Sequence, residues 1–598
     1  MSLKILPRML PNKGVVLNKP EEMLLHNFSP HSRNMEFYDE LLRGRLGLEK
    51  FDTEQLSGPI LHVDQYWHFD YTWWLLVCTS KDIYAYDFSE LRWDIITPVY
   101  TTGTIEVKTG ELNKVYGSGT SWSANLKAGD FIKIGSGAIH TGSTWYEIQT
   151  VDSDTLLTLA SDAVITAPGA SYVARQCFTN VVSGANWDYW DSITFQDAVK
   201  GETWVAVNGK DGPIYWTGTG QVAYLTGLAT GFTAAKYVNT YKNRLMFAWT
   251  VEGGQNQPQR ERWSDVANCE SWQDEDFHDF IDEDTWIMGI INFNDYHIVM
   301  KEYEAYIGRH VGGTYIFDFE KSTTCIGCKA MKSVISRKDA VYYFGRDNIF
   351  HKWNLLRDEE ITRPILAETI DFDPNLEQYI YGWDSVARHQ IRWHCPRTGA
   401  SYNNYTVVYD YEQDVLQVWE YQSEQACCSI GEYLMIEDLY VDDSVWGELY
   451  VDEEDGYWDS RRFLQNAPIT VYGGYDGYVR NADQSYQDDG NDYTRTFRSI
   501  RDNNGMPDQY SRLHKQELWL EAENEGDEIA VKIRRNDQET WDVATKTVSL
   551  FENGKDITKP KILWDKEGYN FQIQIDATNH FSLLGWLNHV YPKRKRKH

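Results

Sequence analysis

The chain has 598 residues, a formal net charge of −32, and 24 Trp, 39 Tyr and 23 Phe. That length exceeds one ordinary core, so several domains or a large repeat architecture are expected. The acidic balance argues against a protein that grips nucleic acid through clustered cations. No apolar run approaches the ~20 residues of a spanning helix. The first ten residues lack the apolar segment of a signal peptide. The expectation is a protein made in the cytoplasm, kept in solution, without membrane insertion. The eight cysteines are sparse and irregularly spaced, which predicts reduced thiols.

Aromatic and β-branched residues dominate and long helical periodicities are nearly absent, which predicts an all-β fold. Residues 1–51 read as a Pro-punctuated N-terminal arm with one helix over 32–48, ended by Gly44 and Gly47. Residues 52–99 carry four short strands separated by polar turns, one complete propeller blade. Over 100–177 Gly, Ser and Thr take over, with a turn every 8 to 12 residues, as expected of a small β-barrel inserted into a loop. Blade-like sequence resumes over 178–490. Its plainest stretch is 232–272, where the polar turn Tyr241-Lys242-Asn243-Arg244 separates two extended runs. Similar units at 188–225, 287–317, 333–353, 377–419 and 429–482 give a β-propeller of about seven blades. Residues 491–598 alternate apolar and polar positions, at Ile529, Val531 and Ile533 and at Phe571, Ile573 and Ile575. They predict a C-terminal β-sandwich ending in a basic tail.

Few residues point to chemistry. Cys325 and Cys328 have the spacing of half a zinc site, but structural zinc takes four ligands and no second pair follows; free thiols under a loop are the expectation. Carboxylates crowd 437–455 and 265–284. A glycosidase uses two carboxylates at a fixed separation, whereas charge runs usually stay solvated. Calcium loops need a spacing absent here. Exposed aromatics at 66–74 and 186–192 suit sugar stacking as well as packing between blades. No nucleotide-binding, serine-hydrolase or zinc-protease motif occurs, so no catalytic residue, cofactor or metal site is assigned and a non-enzymatic role is expected.

The order of these parts resembles that of the tail hub or nozzle proteins of short-tailed bacteriophages. The resemblance is carried by Asn34-Met35 leading to Gly44-Arg45-Leu46-Gly47, by Lys242-Asn243-Arg244-Leu245 followed by Arg262-Trp263-Ser264-Asp265 and Glu270-Ser271-Trp272, by Gly568-Tyr569-Asn570-Phe571-Gln572-Ile573, and by Tyr591-Pro592-Lys593. The inserted segment is similar to β-barrel modules of phage tail proteins. The resemblance implies a β-propeller with accessory β domains and a homo-oligomeric ring, usually a hexamer, in the virion tail. It also implies neighbouring adaptor or portal-proximal proteins and tail fibres or spikes, and transient, non-sticky contact with phage DNA during genome ejection. It carries over no enzymatic residue. Charge alone nominates Glu437, Asp438, Asp442, Asp443, Asp452, Glu453, Glu454 and Asp455 as an acidic channel or gate surface, along with the acids of 274–284. Lys593, Arg594, Lys595, Arg596 and Lys597 are nominated as a subunit-docking tail. The competing class is a glycan-binding or glycan-depolymerising propeller used in host-surface attachment.

Overall fold

The structure, a computed structural model, describes residues 3–8, 13–38, 41–68, 72–179, 189–282, 284–313, 315–421, 427–434, 468–506, 509–522, 527–536, 538–542, 545–550 and 557–593. The protein is all-β. Its described residues form seven four-stranded antiparallel sheets, two seven-stranded sheets and one five-stranded sheet.

Six of the four-stranded sheets are continuous in sequence, at 60–95, 191–224, 232–279, 287–321, 335–360 and 381–420. The turns between strands follow from local chemistry. Lys242 and Asn243 both have positive φ (50° and 56°) between the paired residues Tyr241 and Arg244, the backbone that a two-residue hairpin of matching twist requires. The leading strands are Ile60–Trp67, Asp191–Asp197, Phe232–Tyr241, Ile287–Phe293, Ile335–Ser336, Tyr381–Ser385 and Cys427–Tyr433. Each packs against the next in this order, and Cys427–Tyr433 packs back on Ile60–Trp67. Between sheets lie large aromatic side chains: Trp204, Trp353, Trp393 and Trp419 are all fully buried.

The seventh sheet is assembled from both ends of the chain. Cys427–Tyr433, Ile469–Gly474 and Val479–Ser485 form three strands, and Gly47–Lys50 completes the sheet by pairing with Val479–Ser485. The helix expected over 32–48 is absent. His31–Arg33, Met35–Tyr38, Leu41–Gly44 and Gly47–Lys50 are strands. The reason is tertiary pairing, which overrides weak local helix propensity. Met35 and Phe37, two apart, both enter the core, while the backbone of this segment docks on Val415–Glu420. The Asn34 N–H donates to Val418 O (3.2 Å), and Trp419 Nε1–H donates to Met35 O (3.2 Å).

The C-terminal residues form two sheets that share one core with the arm. One contains Ser511–Ala522, Lys561–Gly568 and Phe581–Pro592 with Lys4–Arg8, Met35–Tyr38 and Leu41–Gly44 from the arm; the other contains Arg495–Arg498, Glu528–Arg535 and Phe571–Ala577 with His31–Arg33. Leu513, Leu518, Ile529, Val531, Ile533, Ile573, Ile575 and Leu583 are buried between them, in the same apolar cluster as Trp393 and Val407 of the sixth four-stranded sheet.

Where the arm turns from this two-sheet unit into the seventh sheet, Arg45 is fully buried. All five guanidinium N–H groups are used. Nε–H donates to Asn34 Oδ1 (3.2 Å). Nη1 donates to Leu46 O (3.0 Å) and Asp488 Oδ1 (2.9 Å), and Nη2 to Glu420 O (3.1 Å) and Asp488 Oδ2 (2.6 Å). The Tyr421 and Tyr493 rings cover the guanidinium at 4.4 and 3.8 Å. The flanking glycines are required by close approach: a Cβ on Gly47 would collide with the Gln487 carbonyl, and one on Gly44 with the Arg495 side chain.

The inserted segment is not a closed barrel. Its seven strands follow one open ladder from Val99–Tyr100 to Thr104–Glu106. The ends meet only at the Ile105–Ala170 bridge. Tyr172–Arg175 pairs with Phe131–Ile134 on one edge and, at Ala174 and Arg175, with Val99–Tyr100 on the other, so Thr104–Glu106 reaches this side only at Ala170.

Candidate functional site

The leading strands of the first six sheets surround a cavity of about 400 Å³. Strand periodicity selects its lining, because residues two apart share a face. Thus His62 and Asp64 enter from the first sheet and Tyr381 and Trp383 from the sixth. Ser192 comes from the second sheet, Asn239 from the third and Lys332 from the turn before the fifth; Ile193, Val238, Ile290, Ile291 and Ile335 supply apolar wall.

The polar groups form a directed chain. The Ser192 hydroxyl donates to Asp64 Oδ2 at 2.5 Å and lies 2.8 Å from His62 Nε2. A hydroxyl has one proton, so with Asp64 ionised, Ser192 accepts from Nε2–H. Nδ1 of the neutral ring then accepts from the Tyr381 hydroxyl at 3.1 Å. Trp204 Nε1–H donates to Asp64 Oδ2 (2.8 Å) and the Gln65 N–H to Oδ1 (2.9 Å). Burial, reinforced by the Lys332 ammonium, holds His62 well below the usual imidazole range. Burial pushes the Asp64 carboxyl up, against the hydrogen bonds from Ser192 and Trp204, and pushes the Tyr381 phenol well up.

The remaining charges are paired. Lys332 Nζ lies 2.8 Å from Asp191 Oδ1, whose other oxygen accepts from the Val238 N–H (2.9 Å). Asp384 accepts two bonds from Arg337 Nη1 (2.9 and 2.8 Å). Beside it on the seventh sheet, Glu432 accepts from Thr470 Oγ1 (3.2 Å), and burial pushes its carboxyl up to about 7. Two buried donors have no protein partner: Asn239 Nδ2 and Trp383 Nε1.

Of these residues only Asp191 and Ser192 fall in a stretch, 186–192, that the sequence singled out for ligand binding, and there for its aromatic rings. In the aromatic clusters that were singled out, Tyr66 is buried and stacked on Trp74 (5.5 Å) and Trp190 is buried with its Nε1–H on Thr79 O (2.9 Å), whereas Phe69, Tyr71 and Trp187 lie outside the described residues. In the stretch 265–284, Asp279 is held by Arg260 (2.7 Å at both oxygens) and Asp274 Oδ1 accepts from the Thr230 N–H (2.7 Å). Cys325 and Cys328 are buried thiols, pushed up by burial to about 12 and 11. Glu437, Asp438, Asp442, Asp443, Asp452, Glu453, Glu454 and Asp455 lie outside the described residues, as do Arg594, Lys595, Arg596 and Lys597. Lys593 is engaged within its own chain, its ammonium on Glu567 and its N–H on Tyr510 O (2.9 Å).

No protein-family model matches the chain, and no curated protein matches it. Among solved structures, the extracellular domain of a hybrid two-component system from B. thetaiotaomicron is similar at 9% identity and a TM-score of 0.27, over 88% of this chain and 74% of that one.

Proposed function

We propose that the seven four-stranded sheets are the blades of a propeller and that the protein is a structural subunit of a bacteriophage tail, a hub or nozzle. In this reading copies assemble into a closed ring, a hexamer, whose channel retains the genome and conducts it during ejection. The observation that carries the reading is the cyclic order of the leading strands, closed by Gly47–Lys50 and continued through the arm into the two-sheet unit. Such a chain has its N-terminal arm paired into both the seventh sheet and the two-sheet unit, a suitable subunit for a load-bearing ring. The net charge of −32 suits a conduit past which DNA slides without sticking. The C-terminal two-sheet unit, read as a sandwich, offers a second surface for ring contacts. Adaptor or portal-proximal proteins and fibres or spikes are the neighbours this role requires.

Light scattering on the purified chain, with negative-stain images of the same sample, tests the proposal. Six times the 69.6 kDa chain mass and a central opening are expected, alone or after addition of the adaptor. A species that stays monomeric with the adaptor present overturns it.

A further inference from the structure

The sheet that joins Lys4–Arg8 to Phe581–Pro592, Ser511–Ala522 and Lys561–Gly568 carries large apolar side chains on its outer face. We propose that this face is the contact to a second copy of the chain, seated on that copy's acidic four-stranded sheets. The proposal rests on the ring reading and names the surface that such a ring would use.

Register defines the face, because residues directly opposite one another, and residues two apart along a strand, project to the same side. Pro7 stands opposite Leu587, and Leu587 opposite Glu517. Two residues along, Ile5 stands opposite His589, His589 opposite Lys515, and Lys515 opposite Leu563. Trp519 continues the same side of its strand from Glu517. Leu518, Leu520, Ile562 and Trp564 point the other way and are buried, whereas Ile5, Trp519 and Leu563 are 54%, 37% and 60% exposed. Trp519 stands opposite Gly585, which has no side chain to cover it, and the Lys559 ammonium lies 4.5 Å from its ring. Apolar groups around a tryptophan, rimmed by charge, have the composition of an interface core.

Charge selects the occupant. Residues 491–598 carry 18 Lys and Arg against 17 Asp and Glu, while the whole chain carries 57 against 89. Nearly all of the net charge of −32 therefore lies on residues 1–490. Two such acidic bodies repel on contact, whereas a balanced unit meets an acidic body without that cost. Within the face Glu517 stands opposite Lys561. The excess cation lies at its end, where the sequence runs on from Phe581–Pro592 through Lys593, Arg594, Lys595, Arg596 and Lys597. These cations complement the acidic body of another copy. A contact between two different surfaces of like subunits is the kind that closes into a ring.

The test uses the full chain in the assembly it forms, alone or with the adaptor, read by sedimentation velocity over a concentration series. Trp519→Ser and Leu563→Glu are each expected to weaken association about thirtyfold, as for a central interface anchor. Raising the salt from about 0.05 to 0.5 M should weaken association of the parent, because screening removes the charge complementarity. Thermal unfolding of both variants separates lost association from lost fold, and Leu563→Glu carries the test if Trp519→Ser does not fold. Mixing identifies the partner surface: Leu563→Glu still offers its acidic sheets, so it should bind the parent while failing to bind itself. No complex in that mixture would mean a face-to-face contact and overturns the proposal. Assembly unchanged in both folded variants also overturns it, and leaves the ring reading standing on another contact. A parent that stays monomeric alone and with the adaptor overturns both.

Discussion

The Arg45 junction and the central cavity are both buried polar sites, and they are built on opposite terms. At the junction every donor of Arg45 has an acceptor and the rings of Tyr421 and Tyr493 pack on the guanidinium. In the cavity the charges are paired, yet Asn239 and Trp383 keep donors that nothing in the chain receives. A site saturated by its own chain holds the fold together. A site with unmet buried donors carries a cost that the first avoids. The difference gives each site a distinct response to mutation and to pH.

The largest effect belongs to the junction. Arg45→Met leaves Asp488 fully buried without its cation, and breaking a buried pair from one side costs about 3–5 kcal/mol. Arg45→Lys should recover little, since an ammonium cannot serve Asp488, Leu46, Glu420 and Asn34 at once. Chemical unfolding measures both. A loss below about 1 kcal/mol for Arg45→Met would make the junction a solvated surface pair in energetic terms, and the contrast with the cavity would lapse.

The same two sites show how far the sequence could be read. The hairpins were legible because each is local: Lys242 and Asn243 between extended runs need no distant partner to specify their turn. The glycines of Gly44-Arg45-Leu46-Gly47 were visible as a boundary, but their reason was not, since the groups they approach, Arg495 and Gln487, lie over 400 positions away. Residues 32–48 were misread as a helix for a related cause: beyond the local pairing of Met35–Tyr38 with Leu41–Gly44, their backbone partners lie on Arg495–Arg498, Phe581–Pro592 and Val479–Ser485. The cavity was illegible altogether. Each leading strand gives it only a few residues, and nothing in their spacing joins His62 to Ser192 or Tyr381. Its one local trace is the i, i+2 placement of His62 with Asp64 and of Tyr381 with Trp383.

Glu432, beside the cavity, gives the next effect. Its carboxyl is raised from 4.5 to about 7, first by burial and also by Asp384, against Thr470 and Arg392. The native state therefore holds this proton where the unfolded chain releases it. The contribution is favourable below pH 4.5 and is lost as pH rises through about 7. Glu432→Gln stays neutral and should be more stable than the parent above pH 7, by at most roughly 3 kcal/mol, with the advantage vanishing near pH 4.5. Thermal unfolding across that range is the measurement. An advantage that does not change with pH would assign the gain to packing instead of the proton.

The smallest effect is the most informative about the cavity. Tyr381→Phe removes one hydrogen bond to His62 Nδ1, worth about 1 kcal/mol. Its value lies in the tautomer. In the parent, the chain of donors from Tyr381 to Asp64 fixes a neutral ring with its proton on Nε2. Nitrogen-15 spectra of labelled histidine should show that state persisting well below pH 6.5, because burial disfavours the imidazolium. In Tyr381→Phe the acceptor at Nδ1 loses its donor, and the tautomer is then held through Nε2–H on Ser192 alone. A parent ring protonated on Nδ1 would reverse the chain: Ser192 would donate to His62, and Asp64 would have to hold the proton itself. The carboxyl would then spend its proton on the Ser192 hydroxyl, 2.5 Å away, and every donor in the chain would point the opposite way.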